Sequence, residues 1–176
     1  MLTFMIQSGV ALHLPPHSKH RLSRYGPLVL WAVFIFIGST DLLSAANTGG
    51  VLVRPVLWLF PHASERTVAI YQFATRKTGH LTEYFIFAVL CARVFGTSSH
   101  ELLRRHWFWV SIFLVIVYSL SDELHQSFYP SRTASIYDCM IDSLGGLLAL
   151  TILSWRRGKT GRSPDREKYL KSGAIA

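Results

Sequence analysis

The apolar residues of this chain fall into four long blocks that are separated by polar segments. The blocks cover residues 25–46, 77–95, 106–124 and 136–155. Each has about 19–22 residues, and a helix of that length crosses a hydrocarbon layer of about 30 Å. A soluble core helix rarely needs such a length four times. The pattern therefore predicts an all-α fold, a polytopic membrane bundle with four transmembrane helices.

The connection between the first two blocks contains a shorter apolar stretch. Residues 51–60 include Pro55 and are followed by Pro61. This stretch is too short to span a bilayer, so it is predicted to be an interfacial or re-entrant segment. Ser64 followed by Glu65 is typical of a helix start. We expect the helix that begins there to run on into the second block.

Composition and charge agree with a membrane protein. Half of the residues (50%) are hydrophobic and 16% are charged, against about 25% charged in an average soluble domain. Of the 18 Lys and Arg residues, thirteen precede the first block, lie at the end of the second or between it and the third, or follow the fourth. The positive-inside rule then places both termini in the cytoplasm of a multi-pass cell-membrane protein.

The charge count also divides the chain into three parts. Residues 1–24 are a basic cytoplasmic N-terminal segment, residues 25–155 form the four-helix membrane domain, and residues 156–176 are a basic, disordered cytoplasmic tail. Such a tail lies against anionic membrane lipids. It has no accompanying series of stacking aromatic residues, so nucleic acid is not expected as a partner.

Polar and ionisable residues gather where the second block begins, the third ends and the fourth begins. An ionisable group inside a membrane span costs about 2.5–3.5 kcal/mol on insertion scales and usually marks function. The candidates for proton transfer are His80, Glu83, Asp122, Glu123, His125, Asp138 and Asp142. The candidates for substrate binding are Lys77, Tyr84, Gln126 and Arg132. The end of one span and the start of the next share a membrane face, so these residues are expected to meet at the extracytoplasmic end.

Helical spacing indicates which of these side chains face one another. Residues three or four apart share a helix face, which groups Lys77 with His80, and His125 with Asp122. By the same geometry Glu123 points about 100° away from Asp122. Gly145 lies where another helix backbone approaches closely.

With Asp41, near the end of the first block, the cluster has six carboxylates. Six carboxylates in a poorly hydrated cluster cannot all stay ionised without partners. Some are protonated, the histidines are charged, or a cation is bound. In an acid–base site His80 or His125 serves as the base, and a glutamate or Asp122 serves as the acid. Lys77 and Arg132 suit a phosphate group. We expect Arg132 to fold back over the carboxylates and bridge two of them.

The series Lys77-x-x-His80-x-x-x-Tyr84, followed by Asp122-Glu123-x-x-Gln126, Arg132 and Asp138, resembles the VanZ-like membrane family. This family is named for a teicoplanin-resistance protein. The resemblance extends over residues 25–155 and implies a role in the cell envelope. Asp142 is a departure, because the family often has Asn there. Resistance to glycopeptide antibiotics belongs to a few members and is not carried over.

Several functions fit these residues. The first is a membrane-embedded enzyme, a hydrolase or transferase that acts on an envelope lipid or a lipid-linked precursor. The second is a non-catalytic binding or accessory protein for a lipid or glycopeptide-antibiotic headgroup. A structural hydrogen-bond network is a third, and a transporter is disfavoured because no inverted repeat is found.

The cofactor is not determined by the sequence. A divalent metal is an alternative, because His80 with Glu83 and Asp122 with His125 place paired ligands on facing helices, as in di-metal carboxylate bundles. Their order does not match the usual Glu-x-x-His pair, so no residue is assigned as a metal ligand.

Overall fold

A computed structural model describes residues 16–41, 45–132 and 134–160. Its helices are α1 (Pro16–Gly38), α2 (Ala45–Leu59), α3 (Glu65–Gly96), α4 (Glu101–Arg105), α5 (Trp107–Gln126) and α6 (Ile136–Thr160). The residues within these three ranges form no strand, and the predicted all-α fold is confirmed. Most of the predicted N-terminal segment and residues 161–176 of the predicted tail lie outside the described ranges.

The longest helix, α3, contains the second apolar block. Ser64 is its N-cap, and the Ser64 hydroxyl accepts a hydrogen bond from the Thr67 N–H at 3.2 Å. This confirms the helix start that the sequence predicts. The helix continues for 32 residues to Gly96, a length of about 48 Å. The apolar stretch before it, with Pro55, is the 15-residue helix α2.

Helices α1, α5 and α6 pack around α3 and alternate in direction. Arg24 in α1 donates to the carbonyl of Val94, which lies near the end of α3. At the other end Lys77 of α3 pairs with Asp138 in the first turn of α6. The buried core between the helices is formed by Ile35, Tyr84, Phe87, Ala88, Cys91, Ala92, Val115, Ala149 and Leu150.

Three helices are long and apolar enough to cross a membrane: Arg21–Gly38, Trp107–Gln126 and Ile136–Lys159. These are the first, third and fourth predicted spans. The second predicted span lies within α3, which does not meet the same standard of hydropathy. Large apolar side chains cover the outside of the bundle, including Leu30, Trp109 and Phe113, each about 70% exposed. Such a surface suits lipid rather than water.

Helices α3 and α6 touch backbone to backbone at Gly145. A Cβ atom added to this glycine would lie 2.3 Å from the carbonyl oxygen of Leu81. At the neighbouring Gly146 a Cβ would lie 2.7 Å from the Cγ1 of Val115 in α5. Two consecutive glycines therefore allow α6 to fit closely against both of its neighbours, as the sequence predicted for a close backbone approach.

Opposite ends of the bundle differ in chemistry. One end carries basic and aromatic residues: the guanidinium of Arg157 lies 4.0 Å from the ring centroid of Trp107. Arg93 donates to the carbonyl of Ser23 at this end, at 3.3 Å. The other end holds the carboxylates of α5 and α6. The fold therefore separates a basic end from an acidic end.

Candidate functional site

Buried carboxylates at the acidic end define the candidate site, which we call the polar cluster. Four of them are almost fully shielded: Asp122 is 4% exposed, Glu123 6%, Asp138 2% and Asp142 0%. The cluster consists of Lys77, His80, Glu83 and Tyr84 of α3, Asp122, Glu123 and Gln126 of α5, and Asp138 and Asp142 of α6. Nine of the eleven predicted site residues thus come from three helices that meet at one end.

At the centre of the polar cluster, Asp142 joins three helices. Its Oδ1 lies 3.2 Å from Nδ1 of His80, and its Oδ2 accepts a hydrogen bond of 2.7 Å from the Ser119 hydroxyl. Both carboxylate oxygens are therefore held. The contact with Nδ1 fixes the orientation of the His80 ring and leaves Nε2 for other chemistry.

Lys77 and Asp138 form the second polar contact between α3 and α6. The ammonium group pairs with Oδ1 of Asp138. The side chain of Lys77 is 24% exposed, whereas that of Asp138 is 3% exposed. The lysine therefore lies at the edge of the cluster, and it already has an anionic partner.

Asp122 connects α5 to the end of α1. Its Oδ1 accepts a hydrogen bond from the Ser39 hydroxyl, and its Oδ2 accepts one from Nε2 of Gln126 at 3.2 Å. The Oε1 atom of Gln126 is buried and has no hydrogen-bond partner among the described residues. Gln126 therefore supports Asp122 and keeps one acceptor available.

Glu123 reaches the polar cluster on a second face of α5, because it points about 100° away from Asp122 around the helix. Its side chain is buried, with Oε2 accepting a 2.7 Å hydrogen bond from the Ser135 N–H. The backbone of Ser135, just before α6, therefore covers this second face at the end of α5.

His125 lies apart from His80, although both are predicted candidates for the base. Its ring stacks on Phe36 of α1, with centroids 3.9 Å apart, and its Nε2 lies 3.5 Å from the Tyr129 hydroxyl. The His125 ring therefore contacts aromatic residues, whereas the His80 ring contacts a carboxylate.

Arg132 does not bridge carboxylates, and this prediction is wrong. Its Nε donates to the carbonyl of Thr40 at 3.0 Å, and its Nη2 donates to the carbonyls of Thr40 and Gly38. Helix α1 ends at Gly38, and the last carbonyls of a helix have no partner within it. The guanidinium satisfies them. Burial lowers the pKa of Arg132, and the nearby Arg76 acts in the same direction, so a second cation lies close by.

Tyr84 is a core residue rather than an exposed binding group. It is 0% exposed and its ring lies 6.1 Å from that of Phe87 and 6.3 Å from that of Tyr118, between centroids. Its hydroxyl is buried without a hydrogen-bond partner in the part of the chain that is described. The side chain closes the inner, apolar side of the polar cluster.

A lateral groove of about 550 Å³ runs along α3 beside the polar cluster. Its walls are Trp31, Tyr71, Ala74, Thr75, Thr78, Gly79, Thr82, Glu83 and Ile86. The indole N–H of Trp31 donates to the carbonyl of Glu83 at 2.9 Å, which fixes α1 against α3 at one wall. Glu83 belongs to both the groove and the cluster, so the groove borders the polar cluster at this residue.

Three serines support the site, and sequence reasoning missed two of them, Ser39 and Ser119. Ser39 and Ser119 donate to Asp122 and Asp142, and the backbone of Ser135 donates to Glu123. Serine is common in apolar helices, so these residues carried no signal by type. Ser119 could have been found by its position, because it lies three residues before Asp122 and therefore on the same face.

Three of the buried groups are also placed to hold a cation. One donor atom each from His80, Glu123 and Asp142 lies within 4.8 Å of the others. Of the two predicted ligand pairs, His80 with Glu83 and Asp122 with His125, this group contains only His80.

These features define the class of protein. It is a helical membrane-type protein with membrane-length apolar helices and a buried acid–histidine cluster at one end. The model of the VanZ/LLP1 family matches residues 25–157, and the chain belongs to this VanZ-like family. No curated protein and no solved structure matches the chain significantly.

Proposed function

We propose that this chain is an integral membrane protein of the cell envelope that acts on an envelope lipid or a lipid-linked precursor by acid–base chemistry. The observation that carries the proposal is the His80–Asp142–Ser119 arrangement, buried next to Glu123 at the end of an otherwise apolar bundle. Buried ionisable groups of this kind in a membrane protein are a functional site by default.

In this proposal α3 is the fourth transmembrane helix. About 28 Å of helix separates Lys77 from Gly96, close to the thickness of a hydrocarbon core. Asp138 and Arg157 in α6 are separated by the same length. Two polar side chains of α3 that lower its hydropathy, Lys77 and His80, contact α6, so these two need not meet lipid.

The proposed topology has both termini in the cytoplasm and the polar cluster outside. Alkaline phosphatase fused after Gly158 should be inactive, and the same enzyme inserted within residues 47–50 should be active, because it folds only after export. A fluorescent protein that folds only in the cytoplasm should give the opposite pattern at the two sites. An active phosphatase at Gly158 together with an inactive one at 47–50 would reject this orientation.

The residues have distinct roles in the proposed reaction. Asp142 holds Nδ1 of His80, so Nε2 is the atom that exchanges a proton with the substrate. Glu83 connects the cluster with the groove, whose apolar walls suit a lipid chain. Arg76, which lies close to Arg132, is the cation that we propose to attract the phosphate of a lipid headgroup.

Replacing His80 by Gln tests the acid–base role. General acid–base catalysis contributes about 10²–10⁴-fold, so the His80→Gln protein should lose at least about 10²-fold of its turnover of a membrane lipid. The matched control is His100→Gln, which changes an exposed histidine and should have no effect. Purified proteins in nanodiscs of total envelope lipid would be compared by mass spectrometry of the lipids with time.

Two outcomes separate the proposal from its alternative. If one lipid species is consumed by the wild-type and His100→Gln proteins but not by His80→Gln, the protein is an enzyme. If no lipid changes and the same lipid co-purifies with all three proteins, the chain is a binding or accessory protein and the catalytic role of His80 is refuted.

A further inference from the structure

We propose that His80, Glu123 and Asp142 bind one divalent transition-metal ion. The three residues come from α3, α5 and α6, and one donor atom of each lies within 4.8 Å of the others. This inference goes beyond the proposed lipid chemistry and is tested apart from it, because ion binding is measured without any lipid substrate. In the ion-bound form, Nδ1 of His80 and Oδ1 of Asp142 would both face the ion instead of each other.

The two carboxylate oxygens of Glu123 supply an independent reason to expect a bound ion. Oε2 is held by the Ser135 N–H, but Oε1 is buried and lacks a hydrogen-bond partner among the residues described. Glu123 is only 6% exposed. A buried carboxylate oxygen without a partner is costly and therefore rare. Since Oε2 is already used, Oε1 is the oxygen left for a cation beside His80 and Asp142.

The spacing between the other two ligands also suits an ion. Nδ1 of His80 and Oδ1 of Asp142 are 3.2 Å apart. Two ligands that each lie about 2.1 Å from one ion are about 3.0–3.4 Å apart for bond angles between octahedral and tetrahedral. Ser119 holds the other oxygen of Asp142, and Ser135 holds that of Glu123. Partners of this kind commonly orient metal ligands.

The ligand types narrow the choice of ion. Calcium and magnesium prefer oxygen ligands alone, whereas an imidazole nitrogen with two carboxylates suits zinc, manganese or ferrous iron. A divalent charge would also neutralise the two carboxylates. Three protein ligands leave at least one position for water, which is the pattern of a catalytic rather than a structural zinc site.

The competing explanation is a simple ion pair, in which protonated His80 contacts Asp142 and no metal binds. Titration of the chelator-treated, full-length protein in detergent with Zn²⁺ distinguishes the two. We expect about one tightly bound ion per chain, and at least about 10²-fold weaker binding in Glu123→Gln and in His80→Gln. Glu101→Gln is the control, since it removes an exposed carboxylate in α4, outside the polar cluster, and its affinity should stay within about 10-fold of the wild type.

A second measurement needs no variant. Co²⁺ added to the chelator-treated wild-type protein should give visible ligand-field absorption bands that an equal amount of Zn²⁺ displaces. Circular dichroism and gel filtration would confirm that each variant is folded. The proposal is refuted if folded Glu123→Gln binds Zn²⁺ as tightly as the wild type, or if Co²⁺ in the wild-type protein gives only the spectrum of the hydrated ion.

Discussion

The Gly145→Ala protein is expected to melt well below the wild type in detergent. The added Cβ would lie 2.3 Å from the carbonyl oxygen of Leu81 and 3.2 Å from its Cα. These are backbone atoms, so no side-chain rotation relieves the contact and α3 and α6 must move apart. Overpacking of a well-packed interior costs about 1–3 kcal/mol, and the rigid backbone contact argues for the upper part of this range.

The separation of α3 and α6 in the Gly145→Ala protein should also disturb the polar cluster. The Lys77–Asp138 and His80–Asp142 contacts join the same two helices, and separating the helices lengthens both. Gly158→Ala in the same helix is the matched control, because a Cβ there meets nothing within 4 Å. Alanine is the better helix former by about 0.5–1 kcal/mol, so this control should melt at or above the wild-type temperature. Equal melting of the two variants would contradict the backbone contact.

The Lys77→Met protein is the second variant for which a large loss of stability is expected. The substitution removes the cation but leaves Asp138, whose side chain is 3% exposed. Removing one partner of a buried ion pair costs about 3–5 kcal/mol, because the other charge stays buried without compensation. Lys77 is 24% exposed and can reach water, so Asp138→Asn should cost less than Lys77→Met.

A double variant tests whether the loss of stability in Lys77→Met comes from the unpaired charge of Asp138. Lys77→Met combined with Asp138→Leu removes both charges, and replacing a buried pair by apolar residues is often close to neutral. The double variant should therefore recover most of the melting temperature lost by Lys77→Met alone. A double variant no more stable than Lys77→Met would indicate that the lysine acts through packing rather than through its charge.

The parts of the fold that follow from local pattern were predictable. The apolar blocks gave three helices of membrane length, and Ser64 gave the start of α3. The meeting of Lys77, Asp122 and Asp138 at one end followed from chain reversal between consecutive helices. A charged side chain in an apolar helix is costly in lipid, so it lies in the bundle interior or near a membrane face. The position of such a residue along its helix therefore predicts the end of the bundle at which it is found.

The details that depend on a loop were not predictable from helical spacing. The backbone of Ser135, just before α6, covers a second face of α5 where Glu123 is buried, and His125 stacks on Phe36 of α1. Arg132 donates to the carbonyls of Gly38 and Thr40 at the end of α1. Spacing within one helix contains no information about either contact.

If α3 is the fourth span that we propose, the polar cluster and the groove beside it meet the lipids of only one leaflet. A lipid made in the opposite leaflet reaches them after its headgroup has crossed the hydrocarbon layer. Burying an ionised group without partners is strongly unfavourable, so a phosphorylated headgroup does not cross readily by itself. A substrate made in the other leaflet therefore has to be delivered by a lipid-translocating protein in the same membrane, and the rate of delivery then sets an upper limit on turnover in the cell.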